Sequence, residues 1–147
     1  MKTIKFRGKR CDNGEWVYGY YARLRNEFKE WHCIMTEKDA SENYIKDCNG
    51  YNMLYTPVNH NTLGQFTGLY DKNGEEIYEG DIVKFTNLNT YVGIVQWDLC
   101  NPCMCISYKN KYGYEDIEYD FIKAGNMLIE VIGNIHDNPE LLEGGDE

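Results

Sequence analysis

The stretch Leu63–Phe85, LGQFTGLYDKNGEEIYEGDIVKF, alternates short apolar segments with glycine-containing turns. Asn73-Gly74 readily adopts the positive φ of a tight hairpin turn, and Glu79-Gly80 marks a second corner. Asp81–Phe85 then alternates apolar and polar side chains, which is typical of a half-buried strand. The stretch therefore predicts short strands joined by two tight turns, rather than a catalytic or metal-binding loop.

The N-terminal part of the chain shows the same pattern. Ile4–Gly8 alternates apolar and polar residues, and Asn13-Gly14 supplies another hairpin turn. Glu15–Tyr21 is rich in the aromatic residues that favour strands. These features predict a hairpin over the first twenty residues. The apolar spacing of Ala22–His32 fits either a strand or one or two helical turns, and the sequence leaves that choice open.

Further short strands are predicted on the C-terminal side of the opening stretch. Four segments have strand character at hairpin spacing: Tyr91–Trp97, Ile106–Tyr108, Glu118–Ile122 and Met127–Ile132. Such spacing indicates an all-β barrel or sandwich. A short helix is predicted at Asn138–Leu142, with Asn138 as its cap and Pro139 in its first turn. We place the boundary between an N-terminal β unit, 1–62, and a C-terminal unit, 63–147.

Composition indicates a folded, cytosolic protein. The 147 residues are 42% hydrophobic and 14% aromatic, unlike disordered chains. No apolar run approaches the roughly 20 residues that cross a bilayer, and no apolar segment follows the basic start as in a secretion signal. The six cysteines are therefore expected to be reduced thiols.

Charge is distributed unevenly along the chain. Residues 1–30 carry eight Lys/Arg and four Asp/Glu, a balance of +4, whereas the remaining residues have a balance of −13. General affinity for nucleic acid depends on neutralising phosphates, so an acidic surface argues against it. A local basic face in the N-terminal part, and an acidic surface that engages a basic host protein, both remain open.

The sequence contains only weak candidates for metal-binding or catalytic residues. One C-x-x-C motif is present among Cys100, Cys103 and Cys105. A structural zinc site pairs such a motif with a second pair of ligands, and the sequence has no second motif. We therefore expect that these cysteines are buried thiols and bind no metal. His60 and His136 have no Ser or Cys with motif spacing beside them, and no phosphate-binding or nucleophile motif is present. We therefore predict a protein that is not an enzyme and has no cofactor.

Aromatic and basic residues lie together on the first predicted hairpin. Trp16, Tyr18 and Tyr20 alternate on one strand, close in sequence to basic residues that include Arg7, Arg10 and Arg23. Stacking of bases on aromatic rings beside cations is how single-stranded nucleic acids are bound. The alternative is that the three aromatic side chains form core.

These segments resemble the YopX family of proteins encoded by phages and prophages. The resemblance rests on IKFRGKR with EWVYGYY, on TLGQFTGLYDKNGEEIYEGDIVKF, on VGIV and on EVIGNIHDNPELL, in that order from Ile4 to Leu142. It implies a β-rich fold whose C-terminal part is an SH3-like small barrel. It also implies expression inside a bacterial host cell, and it supplies no catalytic residues.

Together these observations predict a non-enzymatic phage accessory protein that binds a host or phage protein as a homo-oligomer. The alternative is a nucleic-acid-binding module that uses the basic aromatic hairpin. No membrane partner is expected. The candidate contact residues share either the unexplained polar positions of the opening stretch or the basic aromatic hairpin: Gln65, Phe66, Thr67, Arg7, Arg10, Trp16 and Arg23.

Overall fold

The structure, a computed structural model, describes residues 4–35, 45–46, 52–53, 55–87, 89–98, 103–118 and 128–143. The described elements are strands except for one short 3-10 helix, so the predicted all-β class is confirmed. The chain divides into two compact units, Met1–Gln65 and Phe66–Glu147. The predicted boundary after residue 62 lies inside a strand, close to that division.

The first unit is built on four paired strands. They are β1 (Phe6–Arg10), β2 (Trp16–Arg25), β3 (Glu30–Met35) and the first part of β6 (Thr56–Tyr70), while β4 (Ile45–Lys46) pairs with β5 (Asn52–Met53). β1 pairs with β2, β2 with β3, β3 with β6 and β6 again with β1, all antiparallel. The pairing therefore closes on itself, and both edges of β1 are hydrogen-bonded.

The turns of the first unit follow from local sequence. Gly14 has φ 73°, and its N–H donates to the Arg10 carbonyl at 3.0 Å. Asn13 supports this turn because its Oδ1 accepts the N–H of Glu15 at 2.9 Å. The segment that the sequence left open between helix and strand is strand, because Arg25 pairs with Glu30 and the chain reverses between them.

The second unit contains a five-stranded antiparallel sheet. Its strands are β8 (Asp81–Asn87), β9 (Asn89–Trp97), β10 (Met104–Asn110), β11 (Gly113–Glu118) and β12 (Leu128–Asn134), in the order β11-β10-β9-β8-β12. The short β7 (Glu76–Tyr78) pairs with the end of β6. The predicted strand at Glu118–Ile122 lies largely outside the described residues, and the SH3-like barrel stays a prediction.

Apolar side chains from five strands form the core of the second unit. The buried members are Ile77, Val83, Phe85, Val95, Ile106 and Ile129. Phe85 also contacts the rings of Tyr91 and Tyr108 at centroid distances of 5.5 and 5.1 Å. Ile82 is fully buried although it is out of phase with Val83, and the ladder between β8 and β12 has an irregularity at this point.

The two corners of the opening stretch are fixed by carboxylates and a glycine. Asp71 Oδ1 accepts the N–H groups of Asn73 and Glu75 at 2.8 and 2.9 Å, which closes the first turn. At the second corner, Asp81 Oδ2 accepts the Tyr78 N–H at 2.7 Å. Gly80 has φ 87° there, as the sequence predicted, and its N–H donates to the Val95 carbonyl.

The terminal stretch GNIHDNPELL forms a second set of turns. Asn134 Oδ1 accepts the N–H groups of His136 and Asp137, each at 3.0 Å. The predicted helix is a single 3-10 turn, Pro139–Leu142, with Asn138 at its N-cap position as predicted, but the Asn138 side chain makes no capping hydrogen bond to this turn. The Asn138 side chain instead accepts the Asn134 N–H at 3.3 Å. Within the described ranges, no helix has the length and apolar character that crossing a bilayer requires.

Candidate binding surface

One face of the β1–β2 hairpin gathers aromatic and basic side chains. Lys9 lies opposite Trp16, and Arg7 lies opposite Tyr18 in the antiparallel register. Directly opposed residues, and residues two apart on one strand, project to the same side of a sheet. We use the name hairpin face for this surface, formed by Lys5, Arg7, Lys9, Trp16, Tyr18 and Tyr20.

The cations of the hairpin face lie over its rings. The Arg7 guanidinium carbon is 4.7 Å from the Trp16 ring centroid, and Lys9 Nζ is 5.4 Å from the same centroid. Lys5 Nζ is 6.0 Å from the Tyr18 centroid, at the outer limit of a favourable cation–π contact. Such contacts hold flexible basic side chains beside the rings, so the charge of the face is concentrated around its aromatic groups.

Exposure differs across the hairpin face. Tyr18 and Tyr20 are 43% and 46% exposed, so part of each ring is open to a ligand. Trp16 is half-buried and Arg7 is buried. The sequence-based alternative that the aromatic residues form core therefore applies to Trp16 more than to the two tyrosines.

Two of the predicted basic residues are not on the hairpin face. Arg10 follows Lys9, so it projects to the opposite side, and it pairs with Asp12 at 2.7 Å. Arg23 is also on the other side of β2 and pairs with Glu30 at 2.6 Å. The hydrogen bond from Arg23 holds the pKa of Glu30 below its ordinary value. The structure thus brings Arg7 and Trp16 together and places Arg10 and Arg23 elsewhere.

The predicted contact residues of the opening stretch contribute to packing. Phe66 is buried and contacts the rings of Tyr70 and Tyr78 at 5.6 and 5.5 Å. Thr67 is buried too; its hydroxyl donates to the Ile77 carbonyl at 2.7 Å and accepts the Leu69 N–H at 3.1 Å. Gln65 is half-buried. The polar Thr67 thus has a structural explanation, and the role of the three residues in partner binding stays a prediction.

The candidate metal ligands can be placed only in part. Cys105 is buried in β10, Cys103 is half-buried beside it, and Cys100 lies outside the described residues. Among the side chains that the structure describes, no group of three His, Cys, Asp or Glu is arranged to hold a metal ion. A small apolar cavity of about 10 Å³ lies next to Cys105 in the core of the second unit. A space of that size accommodates at most one water molecule.

Two histidines meet on the other side of the first sheet. The rings of His32 and His60 are stacked with centroids 4.9 Å apart. The hydroxyl of Tyr21 lies 2.7 Å from His32 Nδ1, and Glu30 Oε1 lies 3.4 Å from its Nε2. This arrangement orients His32 but places no Ser or Cys side chain beside it among the contacts described. The two histidines therefore have a structural explanation, because their rings stack with each other and the His32 ring also stacks with the ring of Tyr21.

The sequence interpretation missed two exposed aromatic groups. Phe28 is 92% exposed between β2 and β3, and Tyr112 is 82% exposed between β10 and β11. In both turns, the side-chain oxygen of an asparagine two residues earlier accepts the backbone N–H of the aromatic residue. The Phe28 N–H donates to Asn26 Oδ1 at 2.9 Å, and the Tyr112 N–H donates to Asn110 Oδ1 at 2.7 Å. The sequence signal is Asn-x-aromatic inside a hairpin connection, because asparagine side chains readily close such turns.

The profile of the YopX protein family matches residues 5–143. The structure is similar to the crystal structure of protein EF1440 from Enterococcus faecalis, at 23% sequence identity over 97% of this chain and 99% of that chain, with a TM-score of 0.47. No curated protein matches the sequence. Because the family profile covers nearly the whole chain, in agreement with the sequence resemblance, this protein belongs to the YopX family.

Proposed function

We propose that this protein is a non-enzymatic accessory protein that acts by binding another protein of the phage or of its bacterial host. It works inside the host cytoplasm as a homo-oligomer. The observation that carries the proposal is the hairpin face, where two half-exposed tyrosines lie among three basic side chains and a tryptophan. Tryptophan, tyrosine and arginine are the residues that most often dominate the free energy of protein–protein binding.

The charge of the hairpin face indicates the kind of partner it suits. Lys5, Arg7 and Lys9 bring three basic side chains to this face of a protein whose net charge is −9. An acidic surface on the partner would complement the hairpin face and would be repelled by most of the remaining chain. Such complementarity fixes orientation and speeds association. The proposed partner therefore presents an acidic patch with apolar groups that contact Tyr18 and Tyr20.

Affinity capture from host cells tests this function. The tagged full chain is incubated with lysate of infected or lysogenic cells, with and without nuclease, and captured proteins are quantified by mass spectrometry. We expect at least one protein to be enriched in near-stoichiometric amount, and we expect nuclease treatment to leave it unchanged. Recovery of no specific protein would contradict the proposal.

A second candidate function is binding of single-stranded nucleic acid, and the spacing of Tyr18 and Tyr20 favours it. Two residues along a strand span about 6.7 Å, close to the separation of consecutive bases in an extended single strand. The neighbouring cations would lie beside the phosphates. Fluorescence anisotropy of a labelled single-stranded oligonucleotide at low salt checks this function. Salt-sensitive binding that weakens in Lys5→Glu and Lys9→Glu would support it, and a flat titration would exclude it.

A further inference from the structure

Two Asn-Gly turns of this protein have nearly the same backbone geometry. Gly14 and Gly74 have φ of 73° and 82°, and both are exposed. The Gly14 N–H donates to the Arg10 carbonyl and the Gly74 N–H donates to the Asp71 carbonyl, each at 3.0 Å. A Cβ added to either glycine would meet nothing within 4 Å. The two turns therefore form a matched pair for comparing the asparagine side chains that precede the glycines.

The carboxamides of these two asparagines are held differently. Asn13 Oδ1 accepts the Glu15 N–H at 2.9 Å, and Asn13 Nδ2 donates to Glu15 Oε2 at 3.2 Å. Asn73 is exposed, and its backbone N–H donates to Asp71. Within the part of the chain that the structure describes, the Asn73 carboxamide makes no hydrogen bond. Rotation of this carboxamide therefore breaks no hydrogen bond, whereas rotation of the Asn13 carboxamide breaks two.

Such rotation leads to a reaction in which asparagine loses ammonia. When Cγ reaches the backbone nitrogen of the following glycine, this nitrogen gives its proton to water or hydroxide and forms a bond to Cγ. The bond from Cγ to Nδ2 breaks and ammonia leaves. Water then opens the resulting succinimide at one of its two carbonyls, which yields aspartate or isoaspartate. Glycine favours the attack because it has no side chain to obstruct it.

We propose that Asn73 is a site of spontaneous deamidation in the folded protein and that Asn13 is protected from the same reaction. Water is the co-reactant, and both Asn73 and Gly74 are exposed to it. The two hydrogen bonds to Glu15 must break before Asn13 reacts, and each contributes a modest net free energy. Deamidation should therefore be faster at Asn73 by roughly a factor of five or more. This reaction is independent of the proposed binding function.

Deamidation at Asn73 changes the turn that Asp71 closes. Asp71 Oδ1 accepts the Glu75 N–H, and the Asp71 N–H donates to the Glu75 carbonyl at 2.8 Å. Isoaspartate adds a methylene group to the backbone between these two residues, so their hydrogen bonds must lengthen or break. Both products also add a negative charge to the turn, and like charges repel. Because Asp71 Oδ2 accepts the Val131 N–H, the reaction should weaken the contact between this turn and β12.

Peptide mapping of the aged full chain tests the site. The protein is incubated at mildly alkaline pH, sampled over time and digested at mildly acidic pH, which suppresses further reaction. Mass spectrometry then quantifies aspartate and isoaspartate in the separate peptides that contain Asn13 and Asn73. We expect products to form faster at Asn73 by the factor given above, and we expect the two rates to become similar in urea. The third Asn-Gly, Asn49-Gly50, lies outside the described residues and is quantified in its own peptide.

Two variants test the physical reasons for the difference. Glu15→Ala removes the acceptor of Asn13 Nδ2, so it should raise the rate at Asn13 and leave the rate at Asn73 unchanged. Asn73→Gln keeps an amide but reacts much more slowly, because its longer side chain must form a six-membered ring. During incubation the parent protein should lose stability to urea as isoaspartate accumulates, and Asn73→Gln should lose less. Circular dichroism before incubation checks that both variants are folded.

Any of four results would overturn the proposal. They are absence of product at Asn73, equal rates at Asn13 and Asn73 in the folded protein, a rate difference that persists in urea, and an unchanged rate at Asn13 in Glu15→Ala. Equal loss of stability in the aged parent protein and in aged Asn73→Gln would contradict the proposed effect on the turn.

Discussion

The carboxylate of Asp71 and the backbone N–H of Val131 are joined by a hydrogen bond of 3.0 Å, although 60 positions separate them in the sequence. The same carboxylate closes the turn before β7, so one buried side chain links that turn to β12. Beside it, the Lys72 N–H donates to the Ile129 carbonyl. Asp71 is therefore a structural tie between two parts of the second unit.

Replacement of Asp71 by alanine should destabilise the protein by about 3 kcal/mol, because the backbone N–H groups of Asn73, Glu75 and Val131 lose the acceptor of three partly buried hydrogen bonds. Urea denaturation followed by tryptophan fluorescence measures the change. Glu140→Gln is the control, since Glu140 is exposed and should stay within about 0.5 kcal/mol of the parent protein. An Asp71→Ala variant as stable as this control would refute the role of the tie.

The stability of the protein should fall in acid partly because of Asp71. Burial raises the pKa of this carboxyl, but the N–H donors of Val131, Glu75 and Asn73 together outweigh burial and lower its pKa below the ordinary 3.8. A group with a lower pKa in the folded state stabilises it above the unfolded pKa, and the contribution is lost as pH falls through the folded value.

We therefore expect the free energy of unfolding to drop between about pH 5 and about pH 2 more steeply in the parent protein than in Asp71→Asn. Urea titrations at closely spaced pH values give both curves. Parallel curves would show that Asp71 has the same pKa in the folded and unfolded chains.

Any side chain in place of Gly93 should lower the free energy of unfolding. A Cβ at this position would lie 2.6 Å from Ile106 Cγ2 and 2.8 Å from the backbone oxygen of Ser107 on the neighbouring strand. Gly93→Ala should cost about 2 kcal/mol or more, as overpacking of a core does. At Gly74 the added Cβ would meet open space, and only its φ of 82° opposes alanine, so Gly74→Ala should cost about 1 kcal/mol. Thermal unfolding of the two variants compares them, and the reverse order would contradict the packing described.

Cys33 should react far more slowly than Cys11. Burial raises the pKa of the Cys33 thiol to about 11, with a smaller contribution from Cys11, whereas Cys11 itself is exposed. Only the thiolate is nucleophilic. Brief iodoacetamide labelling at pH 8, followed by peptide mass spectrometry, should modify Cys11 first and Cys33 only after unfolding. Comparable rates in the folded protein would show that Cys33 is accessible.

Local features of this chain were readable from its sequence, and distant contacts were not. The turns at Asn73-Gly74 and Glu79-Gly80 depend on residues next to each other, and both were predicted. The tie from Asp71 to Val131 depends on which strands become neighbours, which residue spacing does not encode. For the same reason, the sequence could not show that Phe66 is buried.

The candidate surface was also predictable in part. Alternation along β2 placed Trp16, Tyr18 and Tyr20 on one face, as the register confirms. The position of Arg23 on the opposite side follows from the same alternation once the segment is known to be strand, a choice that its apolar spacing could not decide. The exposed fraction of each ring depends on neighbouring elements and needed the structure.

Capture by variants of the full chain tests the central claim most directly. Tyr18→Ser combined with Tyr20→Ser removes the exposed rings of the hairpin face, while Tyr112→Ser combined with Tyr114→Ser removes two exposed rings from the second unit. We predict that partner recovery from nuclease-treated host lysate falls at least tenfold in the first variant and is unchanged in the second. Equal recovery by the parent protein and the Tyr18/Tyr20 variant would contradict the claim that this face binds the partner.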